Sequence, residues 1–204
     1  MIGYPTKKSK PRTVASVPLN AKLHQKKGMS LEDDINISNE YYAAMDIALI
    51  HKKPTPVQIV QVDYPRRSKA KIVEAYFKLP STTDYNGIYK GLPIDFEAKQ
   101  ISLKTLFPLK DIHLHQIEHL RKVWLHGGVG FLILRFTQHN ETYLIDARKV
   151  IAQYDDPGIR SLTYVWVKQE GHLIRQGLYP RLHYLEIVDT LYVRGGNSWQ
   201  TNEK

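Results

Sequence analysis

The chain reads as an α/β protein with one central mixed β-sheet flanked by helices. Three observations predict this. Segments of helical and strand period are interleaved along the chain rather than segregated. Residues 94–99 alternate strictly, with Ile94, Phe96 and Ala98 on one face and Asp95, Glu97 and Lys99 on the other. Residues 129–136 form a nearly continuous apolar run, the signature of a strand buried on both faces.

The elements follow in chain order. Residues 1–28 lack periodic apolar positions and hold Pro5, Pro11 and Pro18, so they are expected to form a disordered arm. Ser30 is placed to cap a helix whose first turn is acidic, with Leu31, Ile35, Ile37, Tyr41, Tyr42, Met45 and Leu49 as its apolar stripe. Residues 57–64 and 72–79 read as strands joined by the basic connection Pro65-Arg66-Arg67-Ser68-Lys69-Ala70-Lys71. Asn86-Gly87 predicts a turn and Lys90-Gly91 a second bend, with a strand from Ile94. Pro93, which has no N–H to donate, is expected to begin that strand or to lie at an edge.

Residues 111–126 predict a helix, with Ile112, Leu114, Ile117, Leu120, Val123 and Trp124 as its stripe and Gly127-Gly128 as its stop. After the buried strand, residues 142–146 predict its partner across a turn at His139-Asn140, residues 149–154 a short helix, and residues 163–167 a further strand. Leu182, Leu185, Ile187, Val188 and Leu191 predict a terminal helix, and the polar tail 195–204 is expected to be disordered.

Composition narrows the function. The 204 residues suffice for one domain with a sizeable core. There are no cysteines, which excludes disulfides, thiolate metal sites and a cysteine nucleophile and fits a cytoplasmic protein. No apolar run approaches a membrane span, and the N-terminus has no signal-peptide character. The net charge is +9, and the arm 1–28 alone carries seven Lys/Arg and no acid. A second concentration comprises Lys52, Lys53, Arg66, Arg67, Lys69, Lys71 and Lys78, against only Asp63 and Glu74. Two basic clusters on an otherwise balanced body point to a polyanion, and nucleic acid is the commonest.

The residues from Thr82 onward carry the chemistry. Glu97 and Lys99 point the same way, two residues apart on one strand, and Asp84 can fold back toward them. Two carboxylates beside a lysine suit a hard divalent cation and a phosphate, the acids as oxygen ligands and the ammonium against developing charge. By itself Asp-x12-Glu-x-Lys is a loose pattern that a solvated strand face also produces.

Longer strings make the reading specific. They are Gly28-Met29-Ser30-Leu31-Glu32-Asp33-Asp34, then residues 51–60 (His-Lys-Lys-Pro-Thr-Pro-Val-Gln-Ile-Val) and residues 82–91 (Thr-Thr-Asp-Tyr-Asn-Gly-Ile-Tyr-Lys-Gly). Ile94-Asp95-Phe96-Glu97-Ala98-Lys99 and His115-Gln116-Ile117-Glu118-His119 complete the ordered series. Together they resemble the RecU family of Holliday junction resolvases, from about residue 28 to about residue 192. The resemblance implies a restriction-endonuclease-like core at 29–194 with a projecting stalk inserted at about 63–80. It implies a Mg²⁺-dependent endonuclease, with Mn²⁺ as substitute, that leaves 5′-phosphate ends on four-way junctions and branched DNA.

The family implies a homodimer and, as a further partner, a RecA-type recombinase. Thr82, Asp84, Glu97 and Gln116 are then the metal residues, Lys99 the transition-state stabiliser, and Arg66, Arg67, Lys69 and Lys71 of the stalk the DNA-binding set. Leu92-Pro93 and Leu106 depart from the family pattern, which bears on sequence preference more than on chemistry.

Two other readings compete. A branched-DNA-binding protein without catalysis would use the same basic clusters, but it has no need of Asp84, Glu97 and Lys99 together. His115-Gln116-Ile117-Glu118-His119 also spells the His-x-x-Glu-His pattern of zinc proteases, with Glu170 or Glu186 as generic third ligands.

Overall fold

A computed structural model describes residues 29–63, 70–78 and 82–194. The expected arm 1–28, the tail 195–204 and the stalk residues Arg66, Arg67 and Lys69 lie outside them. The elements run α1 (Leu31–Ala44), β1 (Leu49–Lys52), β2 (Val57–Asp63), β3 (Lys71–Phe77), β4 (Tyr85–Tyr89), β5 (Leu92–Ile101) and β6 (Leu106–Pro108). They continue α2 (Leu114–Leu125), β7 (Val129–Phe136), β8 (Glu141–Asp146), α3 (Ala147–Asp155), β9 (Ser161–Thr163), α4 (Tyr164–Glu170), β10 (His172–Leu173) and α5 (Tyr184–Val188). A π-helical turn, Asp189–Arg194, extends α5.

The central sheet has six strands in the order β1-β4-β5-β7-β8-β10. It is mixed as expected: β5 and β7 run parallel, joined by a crossover through α2, and the other neighbours are antiparallel. Each face carries a core. Under α1 and α5 lie Ile35, Tyr42, Ile94 and Leu185, with Tyr85, Phe96 and Phe131 stacked in series at 4.8 and 4.7 Å between ring centres. Under α2, α3 and α4 lie Ile117, Leu120, Leu132, Leu134, Val150 and Val167. All eight residues of β7 are buried, which is why that strand tolerates no polar alternation.

Local chemistry accounts for the helix starts. Ser30 accepts from Asp33 N, and Asp33 reaches back to Ser30 N, closing the first turn of α1. Asp146 caps α3 and Thr163 caps α4 in the same way, through their side-chain oxygens.

The structure corrects the sequence reading in three places. Asn86-Gly87 is not a turn but the middle of β4, and the hairpin turns at Lys90-Gly91, both at positive φ (48° and 79°). Gly87 is needed for close approach instead: a Cβ there would run into the Leu49 carbonyl oxygen and stand 2.6 Å from Ile50 Cα on β1. Residues 164–167 form the start of α4 rather than a strand, and only Thr163 of the expected stretch is strand, as the end of β9; its side chain caps the helix and outweighs the β-propensity of Tyr164, Val165 and Val167. Leu49 belongs to β1, not to the stripe of α1, which ends at Ala44 before Asp46 at φ 54°.

β2 and β3 form a separate two-stranded antiparallel ribbon that leaves the sheet after β1 and returns before β4. β6 and β9 pair as a second small sheet.

Candidate active site

β5 sets the site. Its alternation buries Ile94 and Phe96 under α1 and turns Asp95, Glu97 and Lys99 toward α2. Glu97 is 0 % exposed. Lys99 Nζ stands 2.9 Å from Glu97 Oε1 as an ion pair, yet neither carboxylate oxygen has a hydrogen bond of normal geometry among the described residues. Burial above all, and then the adjacent Asp84 carboxylate, push the Glu97 carboxyl up to about 8, with Lys99 opposing.

Asp84 arrives from the segment that returns from the ribbon. Its Oδ2 accepts from Ala98 N at 3.2 Å, which pins it to β5 beside Glu97. The structure therefore brings Asp84, Glu97 and Lys99 into one place, although Asp84 reaches it across an uninterrupted β4 rather than around a turn at Asn86.

The other expected residues are placed as follows. Thr82 lies half-buried on the same returning segment, its hydroxyl donating to Thr83 O at 3.4 Å. Gln116 is buried on α2, and its amide oxygen accepts from His113 N at 2.9 Å, capping its own helix. Lys71 begins β3 opposite Asp63, exposed and far along the ribbon from the carboxylates.

Next to this trio lies a second cluster around Asp95. Its carboxylate takes Lys53 Nζ at 3.1 and 2.9 Å, the Thr83 hydroxyl, and His119 Nε2 at 3.1 Å. Burial raises the Asp95 carboxyl, but the hydrogen bonds from His119, Lys53 and Thr83 outweigh it and leave it below the usual carboxylate range. Only Asp95 was visible in the alternation of β5. Thr83 adjoins Asp84, while Lys53 stands out in the sequence only within a basic cluster and His119 only within the His-x-x-Glu-His pattern, and neither signal points to Asp95.

The protease pattern does not assemble. His119 is engaged by Asp95 and Lys53, a cation that a zinc ligand would not tolerate so close. Glu118 pairs with Arg121 at 3.6 Å. Among the described residues no group of three or more His, Cys, Asp or Glu could hold a metal ion.

That absence does not conflict with a hard cation. Asp84 and Glu97 supply two carboxylates against one Lys99 ammonium, and the buried negative charge left over is costly until a further positive charge meets it. A cation here would draw its remaining ligands from hydroxyl, amide, backbone and water oxygens, as Mg²⁺ commonly does. No helix among the described residues is long and apolar enough to cross a membrane.

The comparisons agree with one another. The family model described as RecU, Recombination protein U, matches residues 26–190. The Holliday junction resolvase RecU of Bacillus thuringiensis (strain Al Hakam) is 50% identical over 178 residues, covering 86% of this chain and 89% of the relative. That of Shouchella clausii (strain KSM-K16) is 48% identical over 194 residues, covering 95% and 94%. That of Bacillus cytotoxicus is 48% identical over 196 residues, covering 94% and 98%.

Proposed function

The chain belongs to the RecU family, and from that premise we propose that it resolves Holliday junctions as a Mg²⁺-dependent endonuclease, nicking two strands symmetrically and leaving 5′-phosphates. The observation that carries the reading is Glu97: fully buried, paired among the described residues with Lys99, and set beside a second carboxylate, Asp84. A protein that only binds branched DNA gains nothing from such a group, because Asp84 and the fully buried Glu97 share the single Lys99 ammonium and one buried negative charge is left over, which destabilises the fold.

Asp84 and Glu97 hold the cation, Mg²⁺ or Mn²⁺ in its place, with Thr82 and Gln116 as further oxygen donors. Gln116 joins by sharing or releasing its bond to His113 N. When bound, the cation supplies Lewis-acid polarisation of the scissile phosphate. Asp84, pinned by Ala98 N, and Glu97, walled in by the sheet, keep their oxygens fixed, so little reorganisation accompanies reaction. Lys99 turns its ammonium from Glu97 toward the phosphate oxygens as their charge grows. The basic quartet Arg66, Arg67, Lys69 and Lys71 meets DNA phosphates, which converge at a branch point.

The chain acts as a homodimer in the cytoplasm. Two symmetric nicks need two sites related by a two-fold axis, and the ribbon offers an apolar face to a second copy: Val57 and Ile59 on β2 and Ile72 and Phe77 on β3 are at least 46% exposed.

The decisive experiment incubates the protein with a labelled four-way junction and a matched duplex, with and without Mg²⁺. Paired symmetric nicks in the junction alone, and only with the cation, are expected. Equal cutting of duplex, or none of either DNA, would defeat the proposal.

A further inference from the structure

The ribbon is rooted beside the candidate site, and the root is tied in an unusual way. The chain leaves the sheet at Lys53, immediately after β1, and returns through residues 82–84, immediately before β4. Lys53 N donates to Asp84 O at 2.7 Å, and Lys53 Nζ donates to Thr83 Oγ1 at 3.1 Å, so departure and return are bonded to each other. Both are then bonded to Asp95: Lys53 Nζ meets its two oxygens and the Thr83 hydroxyl donates to Oδ1. His119 closes the knot from α2. Asp95 is buried and two residues from Glu97 on the same face of β5. Its charge is matched by Lys53 and its oxygens are occupied, so it has no capacity left for a cation.

We propose that Lys53, Thr83, Asp95 and His119 are positioning residues that fix the direction of the ribbon relative to Asp84 and Glu97, and thereby select which phosphate is cut. This rests on the reading above, in which the ribbon meets the branch point. The scale of the lever supports it. β2 is seven residues long, roughly 23 Å at about 3.3 Å per residue. A tilt of about 10° at the root moves the far end by about 4 Å, more than the ~3.4 Å that separates successive phosphates along the axis of one strand. A root held by one hydrogen bond fewer therefore blurs the cut by about one nucleotide. Asp84 stays pinned to β5 through Ala98 N, so the cation-holding carboxylates survive the loss, whereas a scissile phosphate misplaced by ~1 Å can cost roughly 10²-fold in rate.

The test is Thr83→Val, which keeps the shape of the buried side chain and removes the hydroxyl, with Thr83→Ser as the conservative variant that restores it. Asp95→Asn serves as a second, independent cut of the knot. Nick positions are mapped at single-nucleotide resolution on a junction with a fixed branch point. Mg²⁺ affinity is read separately by calorimetry. Expected are nicks spread over neighbouring phosphates, a rate lower by roughly 10- to 10²-fold, Mg²⁺ affinity within about threefold of wild type, and recovery of both position and rate in Thr83→Ser.

A Thr83→Val protein that cuts only the wild-type phosphates, or none, overturns the inference. Loss of Mg²⁺ binding in Asp95→Asn as complete as in Asp84→Asn overturns it too, since Asp95 would then be a ligand. A wild-type chain that leaves the junction uncut removes the proposed function, and this inference with it, and that outcome is seen before any variant is made.

Discussion

The free energy stored at Glu97 can be measured without DNA. Its carboxyl sits near 8 in the fold, against about 4.5 in the unfolded chain, chiefly because burial disfavours the charged form. Between those values the folded chain holds a proton that the unfolded chain has released, so raising the pH favours unfolding. The stabilising contribution is fully present below about 4.5 and is lost as the pH rises through about 8. In chelator, the melting temperature of the wild-type protein is expected to fall between pH 5 and pH 8 more steeply than that of Glu97→Gln, which has no proton to lose. Mg²⁺ should narrow the difference by meeting the charge. Glu97→Gln is thus expected to be the more stable protein at pH 8 and to be inactive. Parallel melting curves against pH would mean that Glu97 ionises freely and has been misread. Lys99→Ala addresses the other half of the pair. Cleavage should drop roughly 10²-fold, the scale of one lost electrostatic partner in the transition state, while calorimetric Mg²⁺ binding persists. A loss of cation affinity matching that of Glu97→Gln would recast Lys99 as a structural counter-charge.

Among the elements, β4 is the one whose sequence misleads. Gly87 lies where β1 crosses closest, so Gly87→Ala would push β1 off the sheet edge at Leu49 and Ile50. A cost of about 1–3 kcal/mol is expected, the range for overpacking a tight site, and a denaturant melt measures it. An unchanged midpoint would show that β1 can shift freely. The same residue explains a limit of sequence reading. Asn-Gly is a turn signal because glycine tolerates positive φ, but here glycine is present for lack of a Cβ, and a single sequence cannot distinguish the two uses. α1 was legible because Ser30 and Asp33 encode its start locally, β5 because apolar and charged residues alternate from Ile94 to Lys99, and β7 because its apolar run is continuous. α4 was not, since only Val167 of its seven residues is buried and Val165 is 73% exposed, leaving no apolar stripe to read. The trio Asp84, Glu97 and Lys99 was legible from spacing on and around one strand. The knot at Asp95 was not, because Lys53, Thr83 and His119 converge from 66 residues of chain through tertiary contacts alone.

At the scale of the whole molecule, the ribbon poses a problem that the proposed second copy would solve. An isolated two-stranded ribbon is marginal in water, and this one is amphipathic. Its register sets Val57 opposite Phe77, Ile59 opposite Ala75 and Val62 opposite Ile72, while Gln58 faces Tyr76, Gln61 faces Glu74 and Asp63 faces Lys71. Directly opposed residues share a face, and the two register shifts around Gln61 carry Val62 and Ile72 onto the side of Val57 and Ile59. One face is therefore apolar throughout, and Phe77 on it is 83% exposed. Laying two such faces together across a two-fold axis hides both and sets the two candidate sites in the symmetric relation that paired nicking requires. Replacing Ile59 and Phe77 by lysine adds charge to that face without touching Asp84, Glu97 or Lys99. If the proposed dimer forms through this face, the double variant is expected to sediment as a monomer at concentrations where the wild type sediments as a dimer, to keep its Mg²⁺ affinity, and to release single, unpaired nicks from a cruciform plasmid instead of linear product. Dimeric sedimentation together with unimpaired linear product would place the dimer contact elsewhere and leave the apolar face of the ribbon to the DNA.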